Sequence, residues 1–155
     1  MEAVRLARAD DAVACHALLT EALAAVRHQR GGATLAGPVE ADDLLSGWLA
    51  PSQPETVALW VGEFGGAVVG LLAVSTFTRP GHDGLSGRVE CVYVEEGARG
   101  VGVGSALMDA AVTWCSERAC TDMDARALPG DRASKQRLEA AGFTARLLIL
   151  NRRLR

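Results

Sequence analysis

The stretch VYVEEGARGVGVGSAL (residues 92–107) carries glycine at positions 97, 100, 102 and 104. Upstream, RVECVYVE (88–95) reads as a strand. Downstream, residues 105–119 place Leu107, Ala111, Trp114 and Cys115 on one face of a helix. A strand must therefore turn directly into a helix through glycine. The free N–H groups at a helix start, together with its dipole, form an anion site. Glycines let the backbone approach a pyrophosphate closely, and Arg99 adds a planar cation suited to phosphate. The plainer alternative is a tight strand-to-helix turn that merely needs glycine.

The rest of the chain frames this turn. Residues 4–8 (VRLAR) predict an opening strand, and Asp10 and Asp11 suit the first turn of a helix running to about residue 29. Residues 40–50 predict a second helix. The period then shifts to two, with strands over 56–64 and 67–77 joined by Gly65-Gly66, a hairpin signal. A loop over 80–87 precedes the 88–95 strand. After the 105–119 helix come a strand over 122–128, a helix over 131–141 stopped by Gly142, and one strand or two short ones over 143–154. The expected order is β-α-α-β-β-β-α-β-α-β. This is an α/β (α+β) fold with a mixed, mostly antiparallel sheet and helices on both faces, in one domain spanning 1–155.

Charge narrows the partners. The 155 residues carry 16 Lys+Arg against 19 Asp+Glu, a net charge of −3. That disfavours broad binding to a nucleic-acid backbone. No apolar run reaches the ~18 residues that span a bilayer, and MEAVRLARADD is too charged for a signal peptide. A cytoplasmic protein with no membrane partner is expected. Cys15, Cys91, Cys115 and Cys120 form no C-x-x-C pair, and His16, His28 and His82 lie far apart, so no metal is expected.

Two phosphate motifs can be tested directly. A P-loop needs Gly-Lys-Ser/Thr, and the only lysine is Lys135. The dinucleotide fingerprint G-x-G-x-x-G fails from Gly100, where its third glycine is Ser105, and from Gly102, where it is Leu107. By contrast, Arg99-x-x-Gly102-x-Gly104 resembles the Arg/Gln-x-x-Gly-x-Gly/Ala signature of the GNAT superfamily of N-acetyltransferases. Gly142-Phe143 after the last helix, the opening VRLARADD and the element order are also similar to that family. The resemblance covers the whole chain. It implies acetyl-coenzyme A as acyl donor, with the backbone N–H groups of Gly100, Val101, Gly102, Val103, Gly104 and Ser105 around the pyrophosphate and Arg99 beside it. It implies that Val92, Tyr93 and Val94 hold the pantetheine arm where their strand splays from the next. Main-chain donors there would polarise the acetyl carbonyl. The acceptor, a small-molecule or peptide amine, would enter beside the first two helices and the 80–87 loop, and a homodimer stays open as an assembly.

The chain departs from the family pattern at two places. Glu96 stands where proline is frequent. Leu138 stands where the family has the tyrosine that protonates the leaving thiolate, with Asp131 and Ser134 at its Asn and Ala positions. The only tyrosine, Tyr93, does not replace it in sequence. Ser134, one turn before Leu138, is a candidate proton donor to the sulfur. Glu90 is the candidate base: strict alternation would put it on one face with Val92 and Val94, and a carboxylate among apolar neighbours suits proton abstraction near neutrality. Pairing with Arg88 at the rim is the plainer reading. His82 is a second candidate base. Glu40, Asp42 and Asp43 form an acidic cluster with no basic residue near in sequence, and Trp48 and Trp60 are candidates for the acceptor pocket or the core. Two other functions remain: a non-catalytic acyl-coenzyme A binder, and a nucleotide-binding oxidoreductase.

Overall fold

The computed structural model describes residues 1–154. Strand β1 (Glu2–Leu6) leads into α1 (Ala12–Arg27), a short α2 (Gly32–Ala36) and α3 (Ala41–Leu49). A meander follows, of β2 (Val57–Phe64), β3 (Ala67–Phe77) and β4 (Leu85–Val94). Then come α4 (Val103–Glu117), β5 (Cys120–Asp124) and α5 (Arg132–Ala140). The sheet order is β1-β2-β3-β4-β5. All pairs are antiparallel except β4–β5, which is parallel.

The unbroken apolar run Gly70–Val74 sits on the central strand β3, and a strand reads this way when both its faces are covered. Leu72 and Val74 join Val103, Leu107, Met108 and Ala111 of α4 in one cluster. Leu71 and Ala73 join Cys15, Leu18 and Leu19 of α1 and Leu45 of α3 in the other. Helix α4 lies so close to β2 that a Cβ on Gly62 would collide with Val103 Cγ1. One polar clip ties β1 to the start of α1. Arg5 donates to both carboxylate oxygens of Asp11 (2.7 and 2.9 Å) and to Glu63 on β2 (2.9 Å).

Four readings change. β4 begins at Leu85, so the loop is shorter than 80–87. Gly87, which looked like a loop residue, lies in the strand, and glycine is needed there because a Cβ would strike Cys115 Sγ. Helix α2 went unread, and β5 ends at Asp124 instead of residue 128. The closing strand over 143–154 is absent, as those residues form no helix or strand. A strand needs an edge to bond to, and in a single copy this segment runs past Gly142 (φ +89°) without meeting one.

Candidate active site

Strands β4 and β5 separate to open the site. Their pairing runs from Leu85↔Cys120 to Arg88↔Asp124 and stops. From Val89 to Val94 the β5-facing edge of β4 has no strand beside it. The opening therefore lies toward the glycine turn, at the end where β4 runs into Glu95.

A bulge in β4 sets which side chains face which way. Ala73 pairs with Cys91, yet Val74 pairs with Val89, so Glu90 is the extra residue. Val92 and Val94 join the α4-side cluster, and so does Val89, while Cys91 and Tyr93 pack toward α1 and α3. Glu90 turns to the latter side and accepts a hydrogen bond from Ser75 Oγ (2.5 Å). Alternation alone had put it with Val92 and Val94, and the bulge overturns that. Its basic neighbour is Arg126, at 3.8 Å, instead of Arg88, whose guanidinium stacks on Phe77 (3.9 Å). Tyr93 donates to Glu21 Oε2 (3.1 Å), which ties β4 to α1. Burial first, and then that carboxylate, raises the Tyr93 pKa.

The glycine turn makes the second half of the site. Gly100 (φ +83°) and Gly102 (φ +96°) hold left-handed backbone that a side chain would strain. Gly102 is the N-cap of α4 and no side chain caps it, so the first helical N–H groups, Val103 to Ser105, are free to bind an anion. A cavity of about 270 Å³ opens over them, lined by Val94, Arg99, Gly100, Gly102, Gly104 and Ser105, together with Arg137 of α5. Arg99 does more than add charge: its Nε donates to the Val94 carbonyl (3.0 Å) and fastens the turn to the strand end. Arg137 was missed from sequence. Nothing local marks it, since it reaches Gly104 only through the packing of α5.

The other candidates fall elsewhere. Asp131 caps α5, accepting from Ser134 N (3.0 Å) and Ser134 Oγ (2.7 Å). The Ser134 proton is thus given to the cap. Burial opposes the Asp131 charge, and the Ser134 donors outweigh it, so the carboxyl sits below its ordinary pKa. Leu138 packs on the α4-side cluster with Phe143. His82 lies before Leu85, where β4 begins, five strand residues or roughly 17 Å of rise from Glu90. The acidic cluster has basic partners after all: His16 meets Asp42 at 3.1 Å and Arg27 meets Glu40 at 3.9 Å. Trp60 packs on the α4 side of the sheet, and Trp48 on the α1–α3 side.

The family model described as the acetyltransferase (GNAT) family matches residues 23–143. The chain belongs to the GNAT family. It is an acyltransferase that uses acetyl-coenzyme A, and the dinucleotide oxidoreductase reading falls. Solved structures share the fold of this GNAT domain. A ribosomal-protein-alanine N-acetyltransferase from Brucella melitensis biovar Abortus 2308 aligns with TM-score 0.72 at 19% identity over 99% of both chains. A predicted acetyltransferase with acetyl-CoA from Clostridium acetobutylicum gives 0.73 at 19% identity, over 97% of this chain and 96% of that one. AAC(6')-Iy in complex with a bisubstrate analog, CoA-S-monomethyl-acetylneamine, gives 0.70 at 18% identity over 99% of both. No curated protein matches the chain. Among the described residues no helix is long and apolar enough to cross a membrane.

Proposed function

We propose that this GNAT enzyme transfers acetyl directly to a primary amine of a small molecule or peptide, with Glu90 as the base and no acetylated enzyme on the way. The observation that carries the reading is the position of Glu90. It lies on the α1–α3 side of the sheet, held by Ser75 and Arg126, next to the unpaired edge of β4. Acetyl-coenzyme A would supply the acetyl group as a thioester. The N–H groups of Val103 to Ser105, with Arg99 and Arg137, would hold its pyrophosphate, and the open edge at Val92 to Val94 would take the pantetheine arm by main-chain hydrogen bonds. Main-chain donors of that edge would stabilise negative charge developing on the carbonyl oxygen. Glu90 would accept the proton that an ammonium must lose before its nitrogen can attack. The new C–N bond forms as the C–S bond breaks, the nitrogen gives its second proton to water, and the thiolate leaves unprotonated and takes its proton from water. In this scheme Ser134 could protonate the sulfur only by giving up Asp131. The bisubstrate complex of AAC(6')-Iy supports the scheme by analogy, since there one ligand joins coenzyme A to an acceptor analogue.

The test is a thiol-release assay with acetyl-coenzyme A against a broad panel of amines, with products identified by mass. Intersecting initial-rate patterns and an unmodified enzyme mass are expected. Parallel patterns, or an acetyl group left on the enzyme when amine is withheld, would overturn direct transfer.

A further inference from the structure

The last rung between β4 and β5 is Arg88↔Asp124. Two residues farther along each chain stand Glu90 and Arg126, where the opening begins. Their side chains meet across it: Arg126 Nη2 lies 3.8 Å from Glu90 Oε2. Ser75 Oγ donates to the other carboxylate oxygen, Oε1, and so fixes which oxygen is offered to the opening. A carboxylate and a cation therefore face each other at the narrow end of the acetyl cleft.

Arg126 is open to a ligand. Two other basic side chains of this region are engaged: Arg79 pairs with Asp124 at 2.6 Å and with Asp122 at 3.6 Å, and Arg88 stacks on Phe77. Among the described residues the one carboxylate paired with Arg126 is that of Glu90. The arginine side chain is 56% exposed, and a long, solvated pair of this kind costs little to open. A planar guanidinium suits a carboxylate, which it holds through two parallel N–H donors. An anion and a cation side by side are complementary to a molecule that carries the opposite pair at short spacing. An α-amino acid is such a molecule: one carbon joins its ammonium to its carboxylate.

We infer that the acceptor is a free amino acid inserted between the two, its α-ammonium on Glu90 Oε2 and its carboxylate on Arg126. This rests on Glu90 as the base and narrows the acceptor which that base serves. The incoming carboxylate draws the guanidinium off Glu90, and the ammonium takes its place. The thioester C–S bond then breaks as the amide C–N bond forms. Of the two protons that the nitrogen loses, one goes to Glu90 and one to water, and the thiolate leaves with coenzyme A. A peptide N-terminus has an amide in place of the carboxylate and gives Arg126 no new partner, and a site built for a polar group rejects a molecule without it.

Thiol release from acetyl-coenzyme A by the full chain is compared for each standard amino acid, its amide and its decarboxylated amine. At least one free amino acid should exceed both of its analogues in kcat/KM by about 100-fold or more, since either analogue leaves the guanidinium without its carboxylate. Arg126→Ala should shrink that ratio by about 10- to 100-fold, chiefly through KM, and Arg126→Lys, which keeps the charge without the fork, should restore part of it. Calorimetric titration of the same amino acids and amides into enzyme saturated with coenzyme A, which has no acetyl group to give, reads the site without turnover. There the preferred amino acid should bind about 10- to 100-fold more weakly to Arg126→Ala than to wild type. Glu90→Gln separates this inference from the reading it rests on. If that variant keeps wild-type rates while the preference for a carboxylate still depends on Arg126, the base lies elsewhere and the amino-acid assignment holds. Amides that match their amino acids in both measurements, failure of every amino acid to bind, or a preference unchanged in Arg126→Ala overturns the assignment, and Arg126 is then a strap across the opening.

Discussion

Ser75 Oγ donates to Glu90 Oε1 across the β3–β4 bulge at 2.5 Å. The bond fixes a carboxylate on the side of the sheet covered by α1 and α3, beside the opening between β4 and β5. Because the bulge adds one residue to β4, Glu90 faces away from Val92 and Val94 even though it shares their parity in sequence.

Glu90→Gln keeps the shape and removes the basicity. Turnover at neutral pH should fall roughly 100-fold or more, with partial recovery at higher pH as free amine accumulates. Ser75→Ala should cost less, since it loosens the carboxylate without removing it. Ser134→Ala should leave turnover nearly unchanged and instead lower stability by about 1 kcal/mol through the weakened α5 cap. The pH–rate profiles of the three variants on one accepted amine decide the roles. If Glu90→Gln turns over like wild type while Ser134→Ala collapses, the serine carries the essential proton.

Gly104→Val should separate coenzyme binding from folding. A Cβ on Gly104 finds ordinary contact distances, 3.6 Å to Val94 Cγ2 and 3.8 Å to Arg137 Cδ, so the helix can form. The added methyls would crowd the cavity, and affinity for coenzyme A should drop at least about 100-fold, on the scale of losing two charge-assisted hydrogen bonds. Gly102→Val is a different case, because φ +96° strains any side chain there and stability should fall too, by about 1–2 kcal/mol. Calorimetric titration and thermal melts of both variants check this. Wild-type affinity in Gly104→Val would remove the pyrophosphate from this turn.

Two arginines line the same cavity with different attachments. Arg137→Ala should weaken coenzyme A by about 1–2 kcal/mol and leave pantetheine, which has no pyrophosphate, unaffected. Arg99→Ala should weaken coenzyme A by about 1–3 kcal/mol and weaken pantetheine to a smaller extent, because the Val94 carbonyl loses its donor and the strand end loosens. Equal losses for both ligands in Arg137→Ala would place that residue outside the phosphate site.

What could be read in advance was local. The 92–107 stretch announces a strand, a glycine turn and a helix within one window, and its chemistry depends on backbone N–H groups that any sequence supplies once the helix starts. β3 was legible with correct ends because Gly66 and the polar residues after Phe77 punctuate it. The side on which Glu90 points was not legible. It depends on Ala73 pairing with Cys91 while Val74 pairs with Val89, a register decided between strands. Arg137 was missed for the same reason: α5 brings it opposite Gly104 only in the folded chain. The 143–154 segment carries a strand pattern, and pattern alone cannot say which edge a strand will join.

Asp11 ties the stability of the fold to pH. The residue is 8% exposed, and its carboxylate accepts from Arg5 Nη1 and Nη2 and from the Arg8 backbone N–H. The Arg5 guanidinium, against the opposing cost of burial, holds its pKa below the ordinary 3.8. A folded-state pKa below the unfolded one means the unfolded chain binds the proton more readily. The stabilisation is therefore fully present above about pH 4–5 and is lost as pH falls through the depressed folded value. Asp11→Asn should cost about 2 kcal/mol at pH 7, the scale of hydrogen bonds to a charged group. Asp122 and Asp131 are also depressed, so wild type alone mixes several carboxylates. The difference between wild type and Asp11→Asn isolates the one at residue 11. Urea titrations of both at pH 7 and pH 2.5 should show that difference shrinking at the acidic end. A difference that stays constant across the range would mean that Asp11 acts through shape and neutral hydrogen bonding, with no charge linkage to Arg5.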